Sequence, residues 1–256
     1  MDLSLAGRVS VITGASSGIG LAVARLFLES GADGVVGVFL PGEVAGSIRE
    51  LKGVYGDRLQ LVMGDVGAEA TAVAFTKAAV SRFGRVDVLI NNAGTSVVKP
   101  IHEHSPEEWD LVLNTNVKAI YWAARHVIPE MVRAGGGVIL NTGSISGKVG
   151  IPGQGAYAAS KGAIHQITRQ MAIEYARYNI RVNAICPGTV DTPLVRRSAE
   201  ASGDADAFLE MLKKGHPIGR IASPEEIARV FLFMASGAAS FITGSLLFVD
   251  GGYTAQ

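Results

Sequence analysis

Short apolar runs alternate with longer amphipathic stretches from one end of the chain to the other. Runs this rich in Val, Ile and Leu are typical of strands buried on both faces, which a parallel sheet requires. The seven runs cover residues 8–13, 34–40, 58–63, 86–91, 137–142, 180–185 and 245–250. The stretches between them are long enough to cross over as helices. We therefore expect an α/β fold, in which a doubly wound, parallel, seven-stranded sheet carries helices on both faces within one domain spanning 1–256.

Two of the predicted helices begin with the same tetrapeptide, SPEE, at 105–108 and 223–226. Ser suits the N-cap, Pro the first helical position, and the Glu three residues after Ser closes a capping box. Paired carboxylates also occur in catalytic sites, but capping is sufficient to explain these. We expect helix starts here rather than catalytic acids.

Two stretches depart from the regular alternation. Residues 187–215 are rich in Pro, Gly, Ser and mixed charges, which predicts a mobile substrate loop carrying short helices. Residues 230–249 contain no charged side chain and are long enough to span a bilayer. However, Ser, Gly and Ala occupy their middle, which favours a helix end followed by a short buried strand over a membrane span.

Composition narrows the class of function. The chain has 23 Lys and Arg against 23 Asp and Glu, and 48% of its residues are hydrophobic. This balance suits a large core and argues against nucleic acid as a partner, which would favour a basic surface.

The first residues carry Asp2 and Arg8 and lead straight into a strand, so we expect no signal peptide. The one cysteine, Cys186, lies in an apolar run, which predicts a buried thiol in a reducing, cytoplasmic compartment.

A glycine-rich turn separates the first predicted strand from the helix that follows it. The spacing is Gly14-x-x-x-Gly18-x-Gly20. Glycines there permit a tight turn and let backbone amides approach a pyrophosphate at the helix N-terminus. A purely structural turn is the alternative, but this junction of a doubly wound sheet is where such folds bind ligands. We expect a dinucleotide site whose spacing differs from the G-x-G-x-x-G fingerprint.

The stretch AYAASKGAIHQ, which begins at Ala156, contains the strongest candidate for catalysis. Tyr157 and Lys161 are four residues apart on a predicted helix, so their side chains share one face. An ammonium near a phenol stabilises the phenolate and can lower its pKa from about 10 toward neutrality, as a general acid/base for an alcohol or carbonyl requires. An ordinary amphipathic helix would also explain the pair on its own. Ser144 ends the strand GVILNTGS and could donate a hydrogen bond to a substrate oxygen.

Taken together, these motifs closely resemble the short-chain dehydrogenase/reductase family, in its single-domain branch. The resemblance covers essentially the whole chain and implies a Rossmann-like fold. It rests on TGASSGIG at 13–20, NNAG at 91–94, Ser144, YAASK at 157–161 and CPGTVDT at 186–192, in this order and at the family's spacing.

The resemblance implies a catalytic role for four residues. Tyr157 would transfer the proton to or from the substrate oxygen, which Ser144 would orient and polarise. Lys161 would lower the pKa of Tyr157 and hydrogen-bond the nicotinamide ribose. Asn116 would hold a water in the proton relay; its neighbour Asn114 fits less well, because the family's Asn immediately precedes an apolar residue. The implied reaction is a reversible hydride transfer that needs no metal.

The resemblance also implies a set of cofactor contacts. Asp65 would accept a hydrogen bond from the adenine amino group and Val66 would donate its backbone amide, while Asn91 would stabilise the sheet. Thr189 would contact the nicotinamide, and Thr192 its carboxamide or the pyrophosphate. The complete predicted set is Gly14, Ser16, Ser17, Gly18, Ile19, Gly20, Phe39, Leu40, Asp65, Val66, Asn92, Ala93, Gly94, Tyr157, Lys161, Pro187, Gly188, Val190 and Thr192.

The choice of cofactor depends on the end of the second strand. An Asp there usually accepts from the ribose 2′-hydroxyl of NAD, but this chain has Phe39 and Leu40, with Glu43 after the turn. A 2′-phosphate would meet no evident cation, because Ser17 occupies the other usual basic position, and burying an unpaired dianion is costly. A neutral hydroxyl would lose only a hydrogen bond, about 0.5–1.5 kcal/mol net. We expect NAD to be favoured over NADP, with weak discrimination.

The substrate is less constrained. Ser146, Gln154 and His102 would suit a sugar, polyol or cyclic diol, whereas Val190, Leu194 and Met211 would suit a more apolar alcohol, and the sequence does not choose between them. The predicted substrate-binding residues are Ser96, Ser144, Ser146, Gln154, Tyr157 and Leu194.

Other functions stay open at this point. A ketoacyl reductase acting on an acyl-carrier-protein thioester is an alternative, although no basic docking patch is evident beyond Arg196 and Arg197. A non-catalytic dinucleotide-binding protein, an epimerase or a dehydratase fits the residues less well. We interpret the His102–His104 segment as a loop near the site mouth rather than a metal site, and His165 as helix surface or subunit contact. The resemblance implies a homotetramer and a small-molecule substrate, with no nucleic acid or membrane as partner.

Overall fold

Seven parallel strands form one sheet in the order β3-β2-β1-β4-β5-β6-β7. The computed structural model describes residues 3–40, 42 and 46–256. The strands are β1 Val9–Thr13, β2 Gly34–Phe39, β3 Leu59–Met63, β4 Val88–Asn91, β5 Gly137–Thr142, β6 Ile180–Pro187 and β7 Leu246–Val249. Every residue of β1, β2, β4 and β5 is buried, which is why these runs are apolar without alternation. The predicted fold class is confirmed.

Helices cross over between the strands and cover both faces of the sheet. The longest, which carries the Tyr–Lys pair, spans Gly155–Tyr175. The α-helices in the described part of the chain are α1 Gly18–Glu29, α2 Gly46–Tyr55, α3 Glu69–Phe83, α4 Pro106–Leu113, α5 Ala119–Arg133, α6 Gly155–Tyr175, α7 Pro193–Ala201, α8 Ala205–Lys214 and α9 Pro224–Ala235.

The sheet separates two hydrophobic cores. Phe27 of α1 and Phe231 of α9 are fully buried in one of them, together with Ile12 and Ile90 from the sheet. The other core lies beneath α3, α5 and α6 and is centred on residues such as Phe75. Full burial of each such side chain contributes about 1.5–3 kcal/mol. These two layers fix the strands and therefore the positions at which their carboxyl ends meet.

Both SPEE segments cap helices, as predicted. The Ser105 and Ser223 hydroxyls each accept a hydrogen bond from the backbone amide three residues on, and the Glu108 and Glu226 carboxylates each accept one from the N-cap amide. The remaining carboxylate contacts are local, because Glu108 pairs with Lys99 and Glu226 with Arg220. These acids therefore shape helix ends.

The two irregular stretches also take definite forms. Residues 187–215 contain α7 and α8, the short helices that the composition predicts. Residues 230–249 divide into the end of α9, a 3₁₀ turn at Gly237–Ala239 and β7. None of the helices in the described part of the chain is both long and apolar enough to span a membrane.

Candidate active site

A cavity of about 460 Å³ opens at the carboxyl ends of the strands. Its walls come from the loops after β1 to β6 and from α6 and α7, so the strand order gathers distant parts of the chain at one place. The predicted residues that line it are Gly14, Ser16, Ser17, Gly18, Ile19, Phe39, Leu40, Asp65, Val66, Asn92, Ala93, Gly94, Ser144, Tyr157, Lys161, Pro187, Gly188, Val190, Thr192 and Leu194.

The glycine turn forms one end of this cavity. Gly14 and Gly18 have φ angles of +67° and +52°, a backbone conformation that side chains disfavour. At Gly20, a Cβ atom would overlap the carbonyl oxygen of Gly14, so the turn closes only without one. The Ser17 side chain makes no capping hydrogen bond to α1, and the first turn of α1 contains no acid. The amides that begin α1 are therefore available to an anionic group.

Phe39 and Leu40 form the wall beside the turn. Phe39 is buried and Leu40 is 43% exposed, so this part of the wall is apolar on the inside and open to solvent at its edge. Glu43 lies outside the described residues. Asp65 follows β3, where one of its carboxylate oxygens accepts a hydrogen bond from the Gly67 amide at 2.8 Å. The adjacent residue Val66 also lines the cavity, as predicted.

Ser144 is held at the end of β5 by its own loop. The Ser144 hydroxyl accepts a hydrogen bond from the Ser146 amide at 3.1 Å and donates to the Ser146 hydroxyl at 3.2 Å. Ser146 in turn donates to Oε1 of Gln154 at 2.6 Å. Ser146 and Gln154 do not line the cavity, and neither does Ser96. Their predicted contact with substrate stays a prediction, while their observed bonds fix the Ser144 hydroxyl.

Tyr157 and Lys161 lie side by side on α6, with the Lys161 Nζ atom 5.3 Å from the centre of the Tyr157 ring. Lys161 is buried and donates a hydrogen bond to the Thr142 carbonyl oxygen at 2.7 Å. Burial lowers the pKa of Lys161 to about 8. Burial also raises the pKa of the Tyr157 phenol, against which a hydrogen bond with Ser144 acts. Desolvation of the phenolate thus acts against the lowering of the phenol pKa that the Lys–Tyr spacing predicts.

Asn116 lies beneath the cavity in a π-helical turn, Asn114–Lys118, between α4 and α5. Its side chain is hydrogen-bonded through both polar atoms: Oδ1 accepts from the Thr95 amide at 2.8 Å, and Nδ2 donates to the Thr95 carbonyl and the Ser160 hydroxyl. A wide turn of this type often marks a functional position in a helix. These bonds hold the Asn116 side chain between the loop after β4 and α6.

His165 is buried, which corrects the prediction that it lies on the helix surface or at a subunit contact. Its Nε2 atom is 3.2 Å from the Cys186 sulfur, and its ring packs edge-on against Phe248. A Cβ atom on Gly147 would clash with the His165 ring, so the loop that carries Ser144 rests directly on this histidine. Burial raises the pKa of the Cys186 thiol to about 12, consistent with the predicted inert thiol.

Several residues that line the cavity were not predicted from the sequence. Thr95 enters it from the loop after β4, Leu111 from α4, Thr115 from the π-helical turn and Arg197 from α7. Within their own segments these residues follow ordinary amphipathic patterns, so no local signal marks them. The others are Gly64, Thr142, Gly143, Pro193 and Val195, each a close chain neighbour of a predicted residue.

The residues present fit a dinucleotide. The glycines of the turn after β1 leave room that a Cβ atom would fill, and the start of α1 offers backbone amides. The same cavity is also lined by Asp65, Tyr157 and Lys161. Residues 3–40, 42 and 46–256 contain no group of three or more His, Cys, Asp or Glu placed to hold a metal ion. The segment from His102 to His104 contributes a 3₁₀ turn that does not line the cavity.

Comparisons with known proteins point the same way. A family model described as Enoyl-(Acyl carrier protein) reductase matches residues 14–254. Cis-4-hydroxycyclohexanecarboxylate dehydrogenase from Sinomonas cyclohexanicum is 42% identical over 258 residues, covering 100% of both chains. Among solved structures, L-sorbose reductase from Gluconobacter frateurii, complexed with NADPH and L-sorbose, has a TM-score of 0.93 and 36% identity over 100% of both chains. A gluconate 5-dehydrogenase from Burkholderia cenocepacia J2315, in complex with NADP and tartrate, has a TM-score of 0.90 and 33% identity, covering 100% of this chain and 98% of that one.

Burial of Lys161 should make stability depend on pH. The pKa of Lys161 is about 8 in the folded protein, and 10.5 is the ordinary value that we take for the unfolded chain. Between these two pH values the unfolded chain therefore binds more protons than the folded protein. The resulting destabilisation is complete below pH 8 and disappears as the pH rises to 10.5. The natural protein should therefore gain up to about 3 kcal/mol of unfolding free energy as the pH rises from 8 to 10.5. Lys161→Met lacks the ammonium and should not show this gain, so its unfolding free energy relative to that of the natural protein should fall by the same amount.

Urea denaturation of the cofactor-free protein across this pH range measures the difference. Lys77→Met, which removes an exposed lysine on α3, is the matched control and should show no such trend. An unchanged difference between Lys161→Met and the natural protein at both ends of the range would contradict the buried, depressed ammonium.

Proposed function

The chain belongs to the short-chain dehydrogenase/reductase family and is an oxidoreductase of CH–OH groups that uses a nicotinamide cofactor, and from this premise we propose its substrate class and the roles of its residues. The proposed substrate is a small molecule with a secondary alcohol or ketone on a ring or a polyhydroxylated chain. The observation that carries this proposal is that Ser144, Tyr157 and Lys161 converge on the same cavity.

Tyr157 is the proposed general acid/base. In the oxidation direction its phenolate accepts the hydroxyl proton of the substrate, and in reduction its phenol returns that proton to the carbonyl oxygen. Ser144 is proposed to hold the same oxygen, because its hydroxyl is fixed by the Ser146 loop and lines the same cavity as Tyr157. When bound, the nicotinamide accepts or supplies the hydride.

Lys161 supports this proton transfer from within α6. Its ammonium is anchored on the Thr142 carbonyl and lies against the Tyr157 ring, so it favours the phenolate once the site is closed to water. Asn116 is proposed to stabilise the π-helical turn beside Ser160 and to reach a water through its backbone. The raised pKa of Tyr157 predicts that alcohol oxidation becomes faster as the pH rises.

The cavity walls favour a compact substrate with an apolar body. Leu111, Val190 and Leu194 line the cavity that contains the Tyr–Lys pair, whereas Ser146 and Gln154 are bonded to each other and do not line it. A cyclic alcohol fits such walls, and two relatives are described as acting on, or binding, a hydroxylated ring acid and a sugar. Cytoplasmic localisation stays a prediction.

An acyl-carrier-protein substrate is the second candidate, and the description of the matching family model favours it. Such a carrier is acidic and would need a basic docking surface. Of the two arginines on α7, Arg196 is already paired with Asp191, so this helix offers little unpaired positive charge for docking an acidic carrier. We therefore rank this function below a free small molecule. A non-catalytic binding protein would have no use for Ser144, Tyr157 and Lys161 together.

Replacement of Tyr157 by Phe should abolish proton transfer without disturbing the pocket. We expect kcat to fall by about 10²- to 10⁴-fold, measured by nicotinamide absorbance with cyclic alcohols, sugars, polyols and a hydroxycyclohexanecarboxylate as substrates. Binding of the reduced cofactor, followed by its fluorescence, should change by less than about threefold, because no phosphate contact is lost.

Tyr178→Phe serves as the control, since Tyr178 lies beyond the far end of α6, and should retain full activity. If no compound in the panel is oxidised or reduced by the natural protein, or if Tyr157→Phe is as active as the control, the proposed function is wrong.

The cofactor preference is best proposed as weak. Our sequence-based preference for NAD is not supported by the two solved neighbours, which are complexes with NADPH and NADP. Neither Phe39 nor Leu40 is charged, and residues 41–45 contain no Lys or Arg. However, Leu40 is exposed, so a 2′-phosphate beside it could keep its water shell and avoid the cost of burial. We propose that both cofactors are used.

Steady-state kinetics with each cofactor tests this proposal. We expect kcat/KM for NAD and NADP to lie within about tenfold, the worth of one neutral hydrogen bond. Leu40→Arg should shift the ratio toward NADP by about tenfold or more, because it adds a charged partner for the phosphate. Leu40→Gln, the neutral control, should leave the ratio unchanged. Strict use of one cofactor by the natural protein would contradict the proposal.

A homotetramer remains our proposal for the assembly. Phe241, in the segment before β7, is fully exposed, and Ile173 on α6 is 81% exposed. We propose that the segment before β7 and the exposed face of α6, which carry these two side chains, form the subunit contacts, because exposed apolar groups of this kind are typical of interfaces. Light scattering should give the mass of four chains, and Phe241→Asp should reduce it. A monomer for the natural protein would contradict the proposal.

A further inference from the structure

The charged side chains that line the cavity are few. In the described part of the chain they are Asp65, Lys161 and Arg197. Asp65 follows β3 on the side of the predicted adenine site, and Lys161 is buried against the Thr142 carbonyl. Arg197 is the remaining one, on the exposed surface of α7 where this helix borders the cavity. Its guanidinium is therefore a cation that a ligand in the cavity can reach.

The neighbouring arginine shows what distinguishes Arg197. Arg196 forms a forked pair with Asp191, with nitrogen–oxygen distances of 2.8 and 2.9 Å, and it does not line the cavity. This pairing lowers the pKa of the Asp191 carboxyl. Arg197 has no carboxylate within ion-pair distance among residues 3–40, 42 and 46–256. One arginine of α7 is thus neutralised by the protein, while the other is left for an external anion.

Arg197 lies one helical turn beyond the part of α7 that borders the glycine turn. Pro193, at the start of α7, lies over Gly18: its Cδ atom is 3.6 Å from the place a Gly18 Cβ would occupy. At 1.5 Å per residue, the Arg197 Cα atom lies about 6 Å further along the helix axis. The pyrophosphate position is already served by the amides of α1. A second anion in the cavity is a better match for this guanidinium.

We propose that Arg197 binds a carboxylate of the substrate, so that the substrate class is a small hydroxy acid or keto acid. This inference rests on the proposed function, because it requires an alcohol or ketone presented to Tyr157. The apolar walls formed by Leu111, Leu194 and Val195 suit a hydrocarbon body between the reacting carbon and the anion. A guanidinium presents paired donors that match the two oxygens of a carboxylate.

The walls also explain why an exposed arginine would discriminate. In solvent, its interaction with an anion is weak and screened by salt. A ligand seated against Leu194 and Val195 displaces water from one side of the guanidinium, which strengthens the attraction. A neutral analogue of the same shape would keep the apolar contacts and lose only this charge-assisted pair. Arg197 would then determine specificity without taking part in proton transfer.

Matched substrates and matched variants test the proposal. The substrates are 4-hydroxycyclohexanecarboxylate and its neutral carboxamide, and the variants are Arg197→Gln and Arg196→Gln, which remove the same charge from adjacent positions of α7. We expect Arg197→Gln to lower kcat/KM for the acid by about 10- to 100-fold, the range for a hydrogen bond to a charged group. In the same variant, kcat/KM for the carboxamide and the KM for the cofactor should change by less than about twofold. Arg196→Gln should change kcat/KM for the acid and for the amide by the same factor.

Binding of a compound that cannot react keeps the test independent of turnover. Calorimetry with cyclohexanecarboxylate, in the presence of the reduced cofactor, should show binding to the natural protein that Arg197→Gln weakens by about tenfold and that salt also weakens. Thermal unfolding of both variants checks that they fold.

Three results would overturn the inference. In the first, Arg197→Gln affects acid and amide equally, while both are turned over; the proposed function then stands and the carboxylate site does not. In the second, Arg197→Gln raises the KM for the cofactor instead, which would place the guanidinium on the cofactor phosphates. In the third, cyclohexanecarboxylate fails to bind the natural protein. Failure of the proposed function itself looks different, because neither the acid, the amide nor any neutral alcohol would then be turned over.

Discussion

The hydrogen bond from the buried Lys161 ammonium to the Thr142 carbonyl joins the two elements on which the site is built. Thr142 ends β5, and Ser144 follows it by two residues, while Tyr157 precedes Lys161 by one turn of α6. This contact therefore helps to set the distance between the strand that supplies the hydroxyl and the helix that supplies the phenol. The ammonium is costly to bury, as its depressed pKa of about 8 indicates. The protein retains it there because no neutral side chain would place a positive charge beside Tyr157.

A layer of buried polar pairs keeps these two elements in register. Nδ2 of Asn91 in β4 donates to Oδ1 of Asn141 in β5, whose own Nδ2 donates to Thr168 of α6. The Cys186–His165 contact supports the Ser144 loop from below. Buried polar groups that find partners give an arrangement more definite than apolar packing alone, since moving one of these side chains leaves its hydrogen-bond partners unsatisfied. The precision of the site is therefore a property of the sheet and α6 together.

The sequence predicts those features that depend on a local pattern. The strands follow from apolar runs, the starts of α4 and α9 from SPEE, and the turn from the glycine spacing. These features need no knowledge of distant residues. The burial of His165 could not be predicted in this way, because it depends on Gly147 and Cys186, which approach it only in the folded chain.

The cavity wall shows the same limit. Sequence alone does not show which face of α7 borders the cavity, and it does not distinguish Arg196 from Arg197, of which only Arg196 pairs with Asp191. Likewise, the sequence does not show that the Ser146 hydroxyl donates a hydrogen bond to Gln154, at 2.6 Å in the structure. Such choices are made by tertiary contacts, which the order of residue types does not record.

The distribution of charge in the cavity links the two proposals. At the phosphate end the protein offers backbone amides and a helix terminus, and it places the apolar Phe39 and Leu40 beside them. Binding an anionic cofactor through amides uses no side-chain cation, so Arg197 stays available when the cofactor occupies its place. Two anions can then share one cavity, because each faces its own source of positive potential and solvent at the exposed α7 edge screens them from each other. A guanidinium at the pyrophosphate would instead make the two binding steps compete for the same charge.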